Sequence, residues 1–345
     1  MKDAFDGEGI KVAVVGGGTG SFTLLSALKH HTSQIAAIVN MVDDGGSTGV
    51  LRDELGALPP GDVRQCLVAL SETPKIRDLF SYRFDNGTFE GHSFGNLLLT
   101  ALEKTTGNFH EAVETAGDIL RINGTVIPVT YDNVRLKMSW PGDSSVTLHG
   151  ERVIDAEHFK NDPRKATLTV VPNPVVNPAA LEAIKRADIV IVAPGDLYTS
   201  LGPLLVTDGI GQALAQTKAV VVYVCNLVTK EGQTSGFSVI DHASEIERFA
   251  GEKILDAVFY NDKRPSAEVL ARYEAENAYL VEYNREQLDK QHFEAIGGDF
   301  LGAMVEADST IMPMQVTRGL IRHNASAIIE EILKYYAKGR MPGVL

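Results

Sequence analysis

The chain has 345 residues and an acidic composition, with 32 Lys and Arg residues against 45 Asp and Glu residues and a formal net charge of −13. This charge argues against nucleic acid or an anionic membrane as the main partner. The longest apolar runs also fall far short of the ~20 residues that span a bilayer. Cys66 and Cys225 are too few for a disulfide scaffold or a zinc site, so we expect a cytoplasmic protein. Residues 1–9 contain no apolar segment of a secretory signal and are expected to be flexible.

Apolar runs and helical patterns alternate from the start of the chain. Residues 10–15 form a Val-rich run that predicts a strand, and the glycines after it predict a tight turn. Leucines at helical spacing predict a helix over residues 21–29, and a second strand is predicted over residues 35–42. This order of strand, helix and strand is a βαβ unit, which indicates a parallel sheet with a right-handed crossover.

The same alternation continues to the last predicted helix. Alternating apolar residues on both sides of a Pro-Gly-Asp turn predict a β-hairpin, and hence a β-rich insertion at about residues 125–155. We predict a single doubly wound α/β domain over residues 10–338 with a mostly parallel sheet, followed by a tail over residues 339–345. The other predicted helices are 63–70, 96–104, 110–120, 179–186, 204–216, 239–249 and 325–336, and the other predicted strands are 166–171, 188–193, 219–225 and 257–260.

A glycine-rich loop, GGGTG, follows the first predicted strand. Glycines let backbone N–H groups approach a phosphate closely, and the next helix offers its positive N-terminus. The match to a dinucleotide-binding pattern is incomplete, because Ser21 occupies the position of the third glycine. The alternative is a turn that needs glycine only for its backbone geometry. The predicted phosphate-binding residues of this loop are Gly16, Gly17, Gly18, Thr19 and Gly20.

A second loop of this kind, DDGGSTG, follows the second predicted strand. Asp43 and Asp44 are candidates to hold Mg²⁺ through their carboxylates or to bind ribose hydroxyls. The glycines and hydroxyls behind them form a second phosphate-sized nest, and the alternative is an Asx turn that caps the next helix. Together the two loops indicate a diphosphate site. The candidate binding residues of the second loop are Asp43, Asp44, Gly45, Gly46, Ser47 and Thr48.

Polar residues in later loops complete the predicted site. Asp62 either binds the ligand or caps the helix that begins there, and Arg64 in the first turn of that helix is suited to a ligand anion. His92 is either a general acid or base or a histidine bonded to backbone. The candidate catalytic residues are therefore Asp43, Asp44 and His92. The remaining candidate binding residues, several of which are equally compatible with turns or a solvated face, are Asn96, Gly195, Asp196, Asn226 and Arg322.

Several segments of the sequence resemble one bacterial protein family. They are VAVVGGGTGSFTLLSALK, NMVDDGGSTGVLRDELGALPPGDVRQCLVAL, GHSFGNLLLTAL, ADIVIVAPGDLYTSLGPLL and VVYVCNL. The chain resembles the gluconeogenesis-factor proteins (the YvcK-like group), which share a superfamily with CofD, the 2-phospho-L-lactate transferase of deazaflavin coenzyme synthesis. The Gly-Gly-Ser-Thr-Gly tract after the aspartate pair is similar to the gluconeogenesis-factor branch. Where many relatives have Arg-His-Asp near the C-terminus, this chain has Arg-His-Asn at residues 322–324.

The resemblance implies a Rossmann-like three-layer α/β/α fold. It also implies a cytoplasmic regulator of cell shape and cell-wall precursor metabolism under gluconeogenic growth, with a nucleotide sugar such as UDP-N-acetylglucosamine as ligand. Protein partners in cell-wall regulation and a homo-oligomer are compatible with this function, and a Mg²⁺ requirement stays open. The alternative is a Mg²⁺-dependent transferase, in which Asp43 or Asp44 holds the metal on a nucleoside diphosphate donor. A nicotinamide-dependent oxidoreductase is the weakest hypothesis, because the third glycine is missing.

Overall fold

The computed structural model describes residues 9–275, 277–302 and 321–340. Within them the strands are β1 (Val12–Gly16), β2 (Ile35–Val39), β3 (Thr125–Pro128), β4 (Arg135–Trp140), β5 (Asp143–His149), β6 (Thr167–Val171), β7 (Ile189–Val192), β8 (Val220–Val224), β9 (Ala257–Asn261) and β10 (Glu294–Gly298). The helices are α1 (Gly18–Leu28), α2 (Gly46–Leu55), α3 (Gly61–Leu70), α4 (Pro74–Ser81), α5 (Phe94–Thr106), α6 (Phe109–Leu120), α7 (Glu151–Ala156), α8 (Pro178–Arg186), α9 (Gly202–Leu205), α10 (Ile210–Gln216), α11 (Val239–Ala250), α12 (Ala267–Ala275), α13 (Arg285–Leu288) and α14 (Ala325–Arg340). In this part of the chain, no helix combines the length and the apolar character needed to cross a membrane.

The main sheet has seven strands, all parallel to their neighbours, in the order β10-β9-β8-β7-β1-β2-β3. In β1, the four successive residues from Val12 to Val15 are each at most 2% exposed. Because successive side chains of a strand point to opposite faces of the sheet, both faces are covered at this position. The predicted Rossmann-like α/β fold is confirmed.

The strand order creates a switch point between β1 and β7. From β1 the sheet grows through β2 and β3 on one side, whereas β7 to β10 extend it on the other side. The connections that leave β1 and β7 therefore diverge and leave a crevice outside the carboxyl ends of these strands. Ligands of open α/β sheets bind at such a crevice.

The second sheet is small and antiparallel, with the order β5-β4-β6. The predicted hairpin is present as β4 and β5, in which Met138 pairs with Leu148. The sheet differs from the predicted insertion over residues 125–155 at both ends. β3 pairs with β2 and belongs to the main sheet, while β6 joins β4 with Leu168 opposite Met138. An alternating pattern identifies a strand but does not identify its pairing partner.

Other boundaries differ from the predicted ones for local reasons. The helix predicted over residues 204–216 is divided into α9 and α10, and Gly209 between them has a φ of +91° that interrupts a helix. The strand predicted over residues 35–42 ends at Val39, and a loop follows. The sequence pattern does not indicate β10, a half-exposed strand that ends in two glycines. Residues 339–340, predicted as tail, belong to α14, whereas residues 341–345 and 1–8 lie outside the described residues.

Candidate functional site

A cleft of about 360 Å³ opens at the switch point, beside the carboxyl ends of β1 and β7. The loop after β1 and the loop after β7 both line it, as the rule for open α/β sheets predicts. Residues from the loop after β2, from α3 and from α7 complete its lining. The lining residues are Gly17, Gly18, Thr19, Gly20, Asn40, Asp43, Asp62, Gln65, Glu151, Asp155, Gly195, Asp196, Thr199 and Ser200.

The glycines of the first loop have distinct structural roles. Gly18 has a φ of +63°, a left-handed conformation that a residue with a Cβ adopts only under strain. Gly20 lets α1 approach the loop after β7, because a Cβ there would lie 1.8 Å from the carbonyl oxygen of Pro194. Gly16 is the last residue of β1, where a Cβ would lie 2.7 Å from Ser21 Oγ. The close packing leaves the N-terminus of α1 at the cleft, where the first backbone N–H groups have no partner within the helix, as in anion-binding helices.

Asp62 lies against this glycine loop and does not cap its own helix. The N-cap residue of α3 is Pro60, and the Asp62 carboxylate accepts a hydrogen bond from the N–H of Gly18. A Cβ at Gly17 would lie 2.3 Å from Asp62 Oδ2, so a larger residue there would displace the Asp62 carboxylate. Burial, and next the negative charge of Asp43, raise the pKa of Asp62 to about 7. Asp62 therefore holds a backbone donor that a bound phosphate would also use.

Asp43 and Asp44 face different partners although they are adjacent. Asp43 lines the cleft, and its Oδ1 accepts a hydrogen bond from the N–H of Gly45 at 2.9 Å, which forms the Asx turn that the sequence left as an alternative. Burial raises the pKa of Asp43. Asp44 is directed elsewhere, because its Oδ2 lies 3.2 Å from Nη1 of Arg135. Of the predicted pair, Asp43 is the residue that reaches the cleft.

Carboxyl groups outside the predicted set add to the acidity of the cleft. Glu151 and Asp155 lie one turn apart on α7 and both line the cleft. Burial raises the pKa of Glu151 to about 9, and the negative charges of Asp43 and Asp155 act in the same direction. With Asp62 and Asp196, five carboxyl groups of the described residues line the cleft. The spacing of four residues between Glu151 and Asp155 is a sequence signal that could have found this pair.

The protein side chains alone do not make a complete metal site. No group of three or more His, Cys, Asp or Glu residues in the described ranges is arranged to hold a metal ion. A Mg²⁺ ion at Asp43 would take further oxygen ligands from water and from the phosphates of a ligand, as Mg²⁺ commonly does. Such a cation would also favour the ionised forms of Asp62 and Glu151, whose pKa values are raised by burial.

Lys230 joins the two walls of the cleft. Its Nζ donates to Asp196 Oδ2 at 2.9 Å and forms a salt bridge with Asp155, so that it connects the loop after β7 with α7. No local pattern indicates this role, because the two partners are 34 and 75 residues away in the chain. Asn40, another lining residue outside the predicted set, directly follows β2, and this position at a strand end is a usable signal.

Four predicted residues form a hydrogen-bonded network beside the cleft. None of them is among the described residues that line the cleft. Ser47 Oγ lies 3.0 Å from His92 Nδ1 and accepts a hydrogen bond from Asn96 Nδ2 at 3.3 Å. Arg64 Nε donates to Asn96 Oδ1 at 2.8 Å. Burial, and next the positive charge of Arg83, lower the pKa of Arg64 to about 10. The network connects the N-terminal regions of α2, α3 and α5, so these side chains hold the neighbouring loops in place.

Two further predicted segments shape the loops around the cleft. Asn226 fixes the loop after β7, because its Nδ2 donates to the Gly195 carbonyl oxygen at 2.9 Å. Gly46 begins α2 with a φ of +43°, and the Thr48 hydroxyl forms a hydrogen bond with Asp43. The second predicted phosphate-binding loop therefore holds the side chain of Asp43 in place.

Arg322 is not among the described lining residues. The next residue, His323, lies at the carboxyl end of β8, with its Nε2 3.0 Å from the carbonyl oxygen of Cys225. Burial lowers the pKa of His323 to about 4, so this imidazole is neutral at physiological pH and donates its N–H to the carbonyl. The segment is thus fixed near the same edge of the sheet, beside Asn226.

Comparisons with known proteins agree with this architecture. Residues 12–301 match the family described as 2-phospho-L-lactate transferase CofD. A protein of Thermotoga maritima is 43% identical over 282 residues, which is 81% of this chain and 87% of that protein. The gluconeogenesis factor of Bacillus subtilis is 36% identical over 299 residues, 84% of this chain and 90% of that protein. The crystal structure of a UPF0052 family member from Bacillus halodurans has a TM-score of 0.83 and 35% identity, and the match covers 95% of this chain and 99% of that chain.

Proposed function

Because the chain belongs to the CofD family, and within it to the gluconeogenesis factors, we propose that it binds a nucleotide sugar in the cleft between β1 and β7. UDP-N-acetylglucosamine is the ligand that the resemblance in sequence favours. In this proposal the bound protein acts as a cytoplasmic regulator of cell shape and of cell-wall precursor metabolism during gluconeogenic growth. The nucleotide sugar is then a signal of precursor supply.

One observation carries the proposal: the loop Gly17–Gly20 and the N-terminus of α1 line a cleft at the switch point of the sheet. Backbone N–H groups and the positive end of a helix are the donors that bind a diphosphate. The phosphates approach Gly18 and displace the Asp62 carboxylate from its N–H. Asp43 would hold a Mg²⁺ ion, which would offset the repulsion between the diphosphate and the carboxylates of the cleft.

Thermal unfolding with a panel of ligands tests this function. UDP-N-acetylglucosamine, UDP-glucose, GDP and NAD are each added with and without Mg²⁺. A ligand at about one hundred times its dissociation constant stabilises a protein by about 2.7 kcal/mol, which raises the unfolding temperature by roughly a few degrees. We expect UDP-sugars to give the largest rise. A rise for none of the UDP-sugars would contradict the proposal.

A second function, Mg²⁺-dependent transfer of a phosphorylated group from a nucleoside diphosphate donor, is favoured by the acidic lining of the cleft. Asp43 and Asp62 would hold the metal on the donor while a hydroxyl group of the acceptor attacks the outer phosphorus. The bridging P–O bond would break, the nucleoside monophosphate would leave, and the hydroxyl proton would pass to solvent, so that catalysis would come from positioning and charge neutralisation. The matched variants Asp43→Asn and Asp44→Asn separate the two functions, because Asp43 lines the cleft and Asp44 pairs with Arg135. Turnover that is lost in Asp43→Asn but kept in Asp44→Asn would support the transferase. Binding without turnover would support the regulator.

A further inference from the structure

A second cleft, of about 370 Å³, lies at the carboxyl ends of β8 and β9. It is on the same edge of the sheet as the first cleft, two strands further from β1. We call it the β8–β9 cleft. The residues of its lining that bear on its chemistry are Asn226, Tyr260, Asp262, Lys263, Arg264 and Tyr283.

Asp262 brings an unused hydrogen-bond acceptor to the β8–β9 cleft. Its side chain is only 16% exposed, and its Oδ1 has no hydrogen-bond partner among the residues that the structure describes. Lys263 Nζ lies 3.9 Å from Oδ1, beyond hydrogen-bond length, while Arg285 Nη2 contacts the other oxygen at 3.4 Å. A shielded carboxylate oxygen without a donor is unfavourable, and a ligand hydroxyl or N–H would satisfy it.

Two tyrosines form an aromatic wall in the same cleft. The ring centroids of Tyr260 and Tyr283 are 4.8 Å apart, with the planes inclined by 50°. Tyr260 is buried, whereas Tyr283 is 37% exposed and leaves ring surface at the cleft. Aromatic rings of this kind present an apolar face on which another ring can pack.

The β8–β9 cleft and the first cleft have a common wall. Asn226 lines the β8–β9 cleft, and its side chain bonds both the carbonyl oxygen and the N–H of Gly195, at 2.9 and 3.4 Å. Gly195 lines the first cleft. One ligand can therefore extend from the glycine loop across Asn226, with the exposed cations Lys263 and Arg264 near its path.

We propose that the β8–β9 cleft binds a hydroxylated ring of the same nucleotide sugar, with one ring face against Tyr260 and Tyr283 and a hydroxyl that donates to Asp262 Oδ1. This inference rests on the proposed function and adds a second subsite to it. The ring is either the ribose of the nucleoside or the sugar, because both carry adjacent hydroxyls. The nucleotide sugar then spans four strand ends, those of β1, β7, β8 and β9.

Calorimetric titration with UDP and with UDP-N-acetylglucosamine tests the subsite. Asp262→Ala and Tyr283→Ala should each weaken UDP-N-acetylglucosamine binding about tenfold or more, since a charge-assisted hydrogen bond or a ring contact is lost. Tyr279→Ala is the matched control, because Tyr279 is a 49% exposed tyrosine outside the lining of the cleft. The unfolding temperature of each variant reports whether it is folded.

The outcomes show whether the ribose or the sugar occupies the β8–β9 cleft. They also separate a failure of the subsite from a failure of the proposed function. Equal weakening of UDP and UDP-N-acetylglucosamine assigns the ribose to the cleft, and weakening of UDP-N-acetylglucosamine alone assigns the sugar. Wild-type affinity in both folded variants, with binding still lost in Gly18→Ala, would overturn the subsite and leave the proposed function intact. A wild-type chain that binds neither nucleotide would overturn both.

Discussion

At the scale of single residues, the site depends on two glycines of the loop after β1, because neither position accommodates a side chain without strain or a clash. Gly18 is fixed by its left-handed backbone, whereas Gly20 is fixed by the approach of the Pro194 carbonyl. The carboxylate of Asp62 lies beside the same loop and accepts a backbone hydrogen bond from it. A loop that holds one of the protein's own anions in this way is suited to exchange it for a phosphate.

Replacement of Gly20 should affect the fold more than the ligand. In Gly20→Ala the new Cβ would lie 1.8 Å from a backbone carbonyl oxygen, and α1 must move away from the loop after β7. We expect a loss of about 2–3 kcal/mol in the free energy of unfolding, as in overpacked cores, measured by urea unfolding. Gly339→Ala is the matched control, because Gly339 lies within α14 with open space around it and, like Gly20, has no left-handed backbone. Equal stability of the two variants would contradict this packing.

The raised pKa values of Asp62 (about 7) and Glu151 (about 9) predict a pH dependence of stability. Between about pH 4 and pH 9 these two groups bind more protons in the folded chain than in the unfolded chain, so their contribution to the free energy of unfolding falls as the pH rises. We expect Asp62→Asn to reduce this fall between pH 5 and 8 by about 1–3 kcal/mol, measured by urea unfolding.

The control for this pH experiment is Asp78→Asn, because Asp78 is 76% exposed on α4. Its pH dependence should follow that of the wild type. If the stability of Asp62→Asn falls as steeply with pH as that of the wild type, Asp62 does not titrate in the expected range.

At the scale of elements, predictability follows the distance along the chain between contacting residues. The unit of β1, glycine loop and α1 is predictable, because its apolar run, its glycines and its helical leucines are contiguous. The orientation of Asp44 is not, since its partner Arg135 is 91 residues away. Likewise α7 has only six residues, fewer than two helical turns, so its apolar residues do not show a repeated helical pattern, although it brings Glu151 and Asp155 to the cleft.

The contact between α7 and the loop after β7 can be tested through Lys230. Lys230→Met removes the cation that Asp155 and Asp196 share, and we expect a loss of about 1–2 kcal/mol in the free energy of unfolding at pH 7. Lys334→Met is the matched control, because Lys334 pairs with Glu331 on the exposed surface of α14, where an ion pair contributes little. Chemical unfolding measures the loss in the free energy of unfolding for both variants. A loss no larger than that of the control would show that Lys230 does not hold the walls together.

At the scale of the whole molecule, the strand order brings together loops that are far apart in sequence. The alternation of strands and helices predicts a parallel sheet, and the rule for strand ends predicts that the loops after β1, β2 and β7 meet. They do meet, because residues of all three line one cleft. The net charge of the chain does not predict the acidity of this cleft. The acidity depends on the position of α7, the short helix after β5 that carries Glu151 and Asp155.

In the proposed complex five carboxyl groups would surround the diphosphate, which predicts a dependence on a divalent cation. We expect UDP-N-acetylglucosamine to bind at least about tenfold more weakly after removal of Mg²⁺ with a chelator, because like charges then meet in a partly buried cleft. The affinity in Mg²⁺ should rise from pH 6 to pH 8, because Asp62 loses its proton in this range and its carboxylate can then bind the metal. Titration calorimetry at each pH, with Ca²⁺ as a second cation, measures both effects. Equal affinity with and without Mg²⁺ would contradict a role for the acidic lining.

The most direct test of the account is the affinity of UDP-N-acetylglucosamine for Gly18→Ala and Gly56→Ala in the presence of Mg²⁺. Both glycines have left-handed backbones, with φ of +63° and +60°, so both variants carry about 1–2 kcal/mol of strain. Gly18 lines the cleft, whereas Gly56 ends α2 in open space. We expect Gly18→Ala, still folded, to lose binding, while Gly56→Ala binds as the wild type does. Unchanged affinity in Gly18→Ala would show that the glycine loop is only a turn and that the nucleotide sugar binds elsewhere.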